Sequence, residues 1–369
     1  MRLCFLGSAE SIHAYRWVTF FANRGHETHW LSFAPPAFGD LGSIRFQRIQ
    51  RSSNTPFGLL GATLWTRRAI HLLRPDIVHA HYLGAYGLVG ALAGVHPFVA
   101  TAWGSDILFA GKSLLKRPFV KHVLRSADVI TCDADHMIRA IRTFGIKEGD
   151  VRLIYFGIDT EQFRPAAPSR ELRTRLGLGD SPCVISLRRL EPVYDVETLL
   201  RAAALVLQQV PQAKFVIAGS GSQETMLKGL ANSLGITENV VFVGAIPNHE
   251  LPSYLTSMDV YVSTSLSDGG LSSSTAEAMA CGVPVVISHA AENEKWVESG
   301  VTGYLTPVRD SFALAEKLRL LLQDPALRAE FGRAGREVIK QRNDFFVEME
   351  KMERLYEELA KVDQGGGRQ

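Results

Sequence analysis

"RLCFLGSAESIHAYRWVTFFANRGHETHWLSF", Arg2 to Phe33, reads as strand, helix, strand. "RLCFLG" is an apolar run of buried-strand length that ends at Gly7. The next segment, "SIHAYRWVTFFANRG", puts Trp17, Phe20 and Phe21 on one helical face and stops at Gly25, a C-terminal signal. "ETHWLSF" then returns to an extended pattern. Further on, "DIVHAH", "PFVATAWG" and "DVITCD" are short apolar runs, each closed by a polar or glycine-containing turn and separated by helix-length segments. That alternation implies a parallel, doubly wound sheet covered by helices.

A second series follows "RLIYFGIDTEQFRPAAPSRE", whose Pro165, Pro168 and Ser169 mark a linker. Its strands are "CVISLRRL", "KFVIAGSG", "VVFVGAI", "DVYVSTS" and "VPVVIS", with helices such as 196–209 between them. The expected fold is α/β, with two Rossmann-like doubly wound parallel-sheet domains facing across a cleft. Residues 1–164 form the first domain and 165–343 the second, a helix over about 344–362 crosses back to the first, and 363–369 is a disordered tail. Ligands of open parallel sheets bind beyond the carboxyl ends of the strands, so the residues after each strand are the ones to inspect.

With 369 residues, 46% hydrophobic and 21% charged, the chain is globular and long enough for two ordinary domains. No apolar run reaches the roughly 18 residues of a membrane span. "MRLCFLGSAES" meets a glycine and a glutamate before a signal-peptide core can form, so a cytoplasmic location is expected. Cys4, Cys132, Cys183 and Cys281 are far apart and form no CxxC pair, which fits structural thiols.

The net charge of +2 hides an asymmetry: residues 1–165 hold 19 Lys and Arg against 12 Asp and Glu, leaving 21 against 26 for the rest. A basic first half suits acidic or phosphorylated partners, or an anionic membrane surface. Its sharpest cluster is "GKSLLKRPFVKHVLRSAD", 111–128, where Lys112, Lys116, Arg117, Lys121 and Arg125 alternate with apolar residues and Pro118 interrupts. Over 112–125 a membrane-contacting amphipathic helix, peripheral on the inner face, and a solvated helix face both fit. Nucleic acid is not an expected partner, since no nucleic-acid motif accompanies the charge.

In the second series the strand ends carry Arg188-Arg189, Gly219-Ser220-Gly221, Gly244 and "SLSDGGLSSSTAEAMACGVPVV", 265–286. Gly269 and Gly270 permit unusual backbone angles, and Ser272, Ser273 and Ser274 are natural N-caps of a helix whose free N–H groups and dipole suit phosphate. Ser274-x-x-Glu277 also reads as a capping box, which needs no ligand. Arginine forks and glycine turns together suit a diphosphate. His79 and His81 share one face of an extended segment without an evident third ligand, so packed histidines are expected there and no metal. His13, near the first helix start and Gly7, has the better claim to the cleft.

The run "VISLRRLEPVYDVETLLRAA", "KFVIAGSG", "VVFVGAI", "DVYVSTSLSDGG…STAEAMACGVPVV" and "ESGVTGYLTP", with "DIVHAHY", "ATAWGSDI" and "GIDTEQFRP" before it, resembles glycosyltransferase family 4. These are retaining enzymes of the GT-B fold that use nucleotide-sugar donors. The resemblance implies that Glu277 binds ribose hydroxyls, Asp268 contacts the donor sugar, and Leu271 to Ser274 present backbone N–H groups to the diphosphate. It further implies that Arg189 stabilises the leaving phosphates, that Gly219 and Gly221 line the nucleotide, and that Gly7 lets the first domain close on it. Asp268 and Glu277 are one residue further apart than the family's acid pair, so the loop absorbs a residue or Gly269 takes the first acid's place. Tyr194 replaces a phosphate-binding lysine, with Arg188 as the compensating cation, and Trp103 replaces a histidine found in many members. On the acceptor side stand His13, His81, Trp103 and Asp106.

The implied reaction moves a sugar to a glycan, lipid-linked or small-molecule hydroxyl without a carboxylate nucleophile, metal or cofactor. A nucleotide-sugar epimerase of the same fold and a non-catalytic partner subunit are the rival readings. Product analysis without an acceptor separates the first, and donor binding without transfer the second.

Overall fold

The computed structural model describes residues 1–50, 56–108, 113, 115–268 and 270–365. Two compact units share the chain, one made of Met1–Phe156 with Phe346–Gln369 and the other of Gly157–Phe345. Each is a parallel sheet wrapped by helices.

In the first unit the order is β1 (Arg2–Leu6), α1 (Ile12–Asn23), β2 (Glu27–Ser32), β3 (Arg45–Arg48), α2 (Pro56–Leu73), β4 (Ile77–His81), α3 (Ala85–Ala93), β5 (Phe98–Thr101), α4 (Ser105–Leu108), α5 (Arg117–Ser126), β6 (Val129–Cys132), α6 (Asp135–Arg142) and β7 (Val151–Leu153). The sheet runs β3-β2-β1-β4-β5-β6-β7, so its direction of winding reverses between β1 and β4. Gly7 and His81 close those two strands. The topology therefore puts a crevice where they end.

In the second unit the order is α7 (Arg170–Arg175), β8 (Cys183–Leu187), α8 (Val196–Leu207), β9 (Lys214–Ala218), α9 (Glu224–Ser233), β10 (Val240–Gly244), α10 (Leu251–Thr256), β11 (Val260–Ser263), α11 (Ser273–Ala280), β12 (Val285–Ser288), β13 (Gly303–Thr306), α12 (Ser311–Gln323) and α13 (Pro325–Arg342). Its sheet, β10-β9-β8-β11-β12-β13, reverses between β8 and β11. The residues after those strands are Arg188 and the 264–272 loop. A last helix, α14 (Phe345–Gly365), follows.

The units divide at 156/157 and 345/346 rather than at the proline-marked 164/165. The reason is pairing between the two connecting segments. Ile158 donates to Asn343 O at 2.8 Å, Phe345 donates to Ile158 O at 2.9 Å, and Thr160 Oγ1 donates to Asp344 Oδ2 at 2.6 Å. Gly157, at φ +71°, lies so close that a Cβ would sit 2.4 Å from Phe345 Cα. Just before the proline-rich stretch Phe163 is buried and its carbonyl accepts from Arg336 Nη1 at 3.0 Å, while residues 164–168 are exposed, as the linker reading expects.

Helix α14 completes the first unit. It buries Met349, Met352, Leu355 and Tyr356. The Tyr356 hydroxyl hydrogen-bonds His79 Nδ1, His79 Nε2 meets Thr101 Oγ1 at 2.6 Å, and Thr101 meets Thr131 at 2.5 Å, a buried polar chain across three strands. Glu348 accepts from the Tyr155 N–H at 2.9 Å, and Glu353 pairs with Arg24 and His26, each at 2.8 Å. The helix runs to Gly365; the rest of the expected tail, 366–369, lies outside the described residues.

One expectation about α5 changes. Pro118 occupies the first turn of the helix, where a missing N–H costs nothing, so it starts the helix instead of interrupting it. Lys112 and Leu114 lie outside the described residues. All four cysteines are buried free thiols. Among the described residues no helix is long and apolar enough to cross a membrane.

Candidate active site

Beyond β8 the chain turns Arg188 inward. Its side chain is 8% exposed and pairs through Nη2 with Asp268 Oδ1, whose own side chain is 7% exposed. Nη1 donates to Ser274 Oγ at 3.3 Å, and that oxygen sits 2.8 Å from the Tyr261 hydroxyl. The guanidinium rests on the Tyr194 ring, 4.4 Å from its centroid, while Nε is buried without a partner. Burial works against the charge, but Asp268, Tyr261 and Tyr194 outweigh it and hold the guanidinium's pKa above its ordinary value. Arg189, in contrast, is 73% exposed and lies 3.7 Å from Glu191.

The glycines beyond β9 serve this arginine. A Cβ on Gly219 would lie 2.2 Å from Arg188 O and one on Gly221 2.3 Å from Leu190 O. The Gly219 N–H donates to Gly244 O at 2.7 Å, so it is already used. These glycines let the Arg188–Leu190 backbone pack, which differs from the open phosphate turn that their spacing suggests.

Helix α11 begins one turn from Asp268. Its N-cap is Ser272, whose Oγ accepts from the Thr275 N–H at 3.3 Å. The alternative reading of Ser274–Glu277 as a capping box does not hold: Ser272 is the N-cap, Ser274 already lies in the helix and Glu277 sits on its second turn. Glu277 is a buried carboxylate, 7% exposed. Gly270 takes φ +145°, and Leu271 is buried. Gly269 lies outside the described residues.

In the first unit, a cavity of about 390 Å³ opens at the β1/β4 reversal, lined by Ser8, Ser11, Ala14, His81, Tyr82, Tyr86 and Trp103. Gly7 abuts it because a Cβ there would lie 3.2 Å from His81 Cβ; its N–H donates to Leu31 O. The His81 ring lies 4.9 Å from Trp17 and 5.7 Å from Trp103, and neither of its nitrogens has a partner. His13 packs between Trp103 and Phe156, each 5.4 Å away. Tyr82 takes φ +86°, unusual for a bulky residue, and strain of this kind gathers at functional sites. Asp106 does not line the cavity. It is buried and accepts from the Leu83 N–H at 2.8 Å and the Trp103 N–H at 3.0 Å, so it positions the cavity wall. His79 has both nitrogens hydrogen-bonded, and among the described residues no three His, Cys, Asp or Glu side chains group to hold a metal.

These histidines set a pH dependence. Burial lowers His13 to about 4, with Arg16 adding to it, lowers His81 to about 3, with His13 adding to it, and lowers His79 well below its ordinary value. A histidine whose folded pKa is depressed binds fewer protons folded than unfolded, so stability is lost as pH falls below the ordinary 6.5 toward those values. Asp106, raised to about 6 by burial, opposes this: its contribution is present below 3.8 and lost as pH rises through about 6. Three histidines outweigh one aspartate. The melting midpoint of the first unit is expected to fall on the order of 5 °C or more between about pH 7 and 4.5, and His81→Phe to flatten that slope.

Two family models match the chain: "Glycosyl transferase 4-like" over residues 2–134 and "Glycosyl transferases group 1" over 168–338. A GDP-mannose-dependent alpha-(1-6)-phosphatidylinositol monomannoside mannosyltransferase of Mycolicibacterium smegmatis is 33% identical over 264 residues, 69% of this chain and 68% of that protein. Its namesake from Mycobacterium tuberculosis is 30% identical over 318 residues, 82% and 81% of the two chains. The chain belongs to glycosyltransferase family 4. The solved structure of Anabaena HepE in complex with UDP superposes with a TM-score of 0.82 at 22% identity, covering 97% of this chain and all of that one, which shows the GT-B fold.

Of the residues that sequence reasoning singled out, this glycosyltransferase brings Arg188, Asp268 and Ser274 into direct contact around the start of α11. It gathers His13, His81 and Trp103 around the first-unit cavity and leaves Arg189 facing outward. Ser8, Ser11, Tyr82 and Tyr86 were missed. Ser8 and Tyr82 directly follow Gly7 and His81 at the ends of β1 and β4, so the strand-end rule that found Arg188 would have found them too.

Proposed function

We propose that this glycosyltransferase moves a sugar, with retention of configuration, from a nucleoside-diphosphate donor to the hydroxyl of a glycan, lipid-linked or small-molecule acceptor. The bond between the anomeric carbon and the phosphate oxygen breaks, the acceptor oxygen bonds on the same face, and the acceptor's proton passes to the departing phosphate. Neither a metal nor a cofactor enters this reading. The work takes place in the cytoplasm, on the inner face of the membrane.

One observation carries the donor side. Arg188 is buried beside the N-terminus of α11 with an unpartnered Nε, and such a group finds its missing acceptor in a phosphate oxygen. Its charge, with the helix dipole, then stabilises the leaving nucleotide. Asp268, bound to Arg188, is the positioning residue of that arginine. Glu277 is the ribose ligand, a carboxylate able to accept two hydroxyl hydrogen bonds. On the acceptor side, the first-unit cavity receives the hydroxylated headgroup, with Trp103 and Tyr82 against its C–H faces.

The relatives named above use GDP-mannose, so GDP-mannose leads a thermal-shift and hydrolysis screen of GDP- and UDP-sugars. A nucleotide sugar at about 100 times its Kd raises stability by about 2.7 kcal/mol. If no GDP- or UDP-sugar shifts the melting midpoint or is turned over, the proposal fails. Within the donor site, Glu277→Gln is expected to weaken nucleotide diphosphate binding by about tenfold or more, from the loss of hydrogen bonds to a charged group. Asp268→Asn should weaken it less, because Arg188 keeps its Ser274 contact. Equal or reversed losses by titration calorimetry would show that the two acids have been exchanged.

A further inference from the structure

Helices α2, α3 and α5 lie side by side on the first unit, with α3 packed against both neighbours. Their outward face is unusually apolar. Leu60, Leu64 and Leu72 of α2, Leu92 of α3, Leu115 just before α5 and Phe119 within it are between 42% and 83% exposed. The same layer carries Arg67 and Arg68 on α2, Lys116 at the N-cap of α5, and Lys121 and Arg125 on it, all exposed except the half-buried Lys121.

Acids are missing from the face. Between Leu41 and Ala127 the sequence contains only Asp76 and Asp106, and none of the three helices carries one. Asp106 is buried, and Asp76 accepts the Arg2 N–H at 2.7 Å. The next acids are Asp128, held by His96, and those at the start of α6. Among the described residues, none of the five cations pairs with a carboxylate. Helices of the second unit behave differently, pairing Arg201 with Glu197 and Lys228 with Glu224, each at 2.7 Å, and Arg319 with Glu316 at 3.1 Å. An ordinary solvated helix face pairs its charges in that way. A face of leucines and a phenylalanine among unpaired cations has the composition of helices that lie in a bilayer interface.

We propose that the outer face of the α2–α3–α5 layer seats the first unit on an anionic phospholipid bilayer. Lipid phosphates complement the five cations, and the six apolar side chains enter the acyl boundary. A nucleic acid or an acidic protein would meet the charges and leave the leucines in water, so the bilayer is the occupant that uses both. The surface is wider than the 112–125 segment that the charge pattern alone marks, since α2 supplies half of its apolar side chains. Tyr82, 39% exposed three residues before α3, also lines the first-unit cavity, so one residue is shared by the cavity and the approach to this layer.

The test is co-sedimentation of the full chain with vesicles of phosphatidylcholine alone and with phosphatidylglycerol added. Salt is set at about 50 mM and about 500 mM, where exposed charges are respectively felt and largely screened. Binding is expected to be at least tenfold tighter to the anionic vesicles and to fall steeply at high salt. R67E/R68E/K121E should lose the anionic preference, and L64E/F119E should weaken binding even at low salt. R201E, on the second unit, is the matched control and should change nothing. Equal binding to both vesicle types, no binding to the anionic ones, or binding that survives R67E/R68E/K121E overturns the proposal. Donor binding measured without vesicles is independent of all these outcomes and separates a failure here from a failure of the donor reading.

Discussion

Arg188→Ala is expected to lower the rate of sugar transfer by on the order of 10²–10³-fold, the loss that follows removal of a buried donor from a leaving oxyanion. Arg189→Ala should leave the rate within about threefold, as for other exposed side chains. The contrast comes from placement. Arg188 reaches Asp268 and Ser274 from a side chain only 8% exposed, while Arg189 is 73% exposed and lies 3.7 Å from Glu191. Removing Arg188 also strands Asp268, and an unpaired buried charge costs about 3–5 kcal/mol. Arg188→Ala/Asp268→Asn removes that penalty, so a double variant that regains stability but stays slow attributes the loss to chemistry. Arg188→Lys keeps the charge but loses the fork, and should recover only part of the rate. If Arg189→Ala is the slower enzyme, the arginine that the family resemblance indicates is the working one, and Arg188 is structural.

Deleting α14 beyond its first residue, by ending the chain at Phe345 so that the second unit stays whole, is expected to unfold the first unit. Met349, Met352, Leu355 and Tyr356 are all buried in it, and each such side chain contributes about 1.5–3 kcal/mol. Their sum rivals the roughly 5–15 kcal/mol by which a domain is stable at all. Deletion also leaves His79 and the Tyr155 N–H without their partners. Limited proteolysis reads the outcome: residues 1–156 should be cut rapidly while the second unit resists. Tyr356→Phe is the graded version. It keeps the packing and strands one nitrogen of His79, at a cost of about 1–3 kcal/mol. A truncated chain whose first unit still melts cooperatively at its original temperature would refute the prediction.

Much of this arrangement is legible in the residues. The ten apolar strands, the glycine turns and the helix that returns at the end follow from apolar patterning and turn residues, and the donor-side loops follow from looking just past each strand. Other features escape for stated reasons. Strands β3 ("RFQR") and β7 ("VRL") carry too few apolar residues to stand out, and β13 ("GYLT") hides in a turn-like stretch. Three consecutive serines offer three equivalent N-caps, and only the backbone selects Ser272. Strand β8 is buried from Cys183 to Ser186 and shows no alternation, so nothing local decides which of the two arginines after Leu187 turns inward. The inward side chain is the one that meets Asp268 and Ser274, partners about 80 residues away that become neighbours only after folding. The φ of Tyr82 has no signature at all in a stretch reading "HYLGAYG".

The discontinuous first unit also bears on how the protein is made. Its final helix leaves the ribosome only after the whole second unit, Gly157–Phe345, has been translated. At about 5–20 residues per second, that interval lasts roughly ten to forty seconds. Through it the nascent first sheet keeps its place for Tyr356 vacant and the side chains around His79 uncovered, while the second unit has every residue it needs. The later-encoded unit is therefore the first able to finish, and a chaperone that shields nascent chains would find its longest-lived target on the face of the first sheet that α14 finally covers.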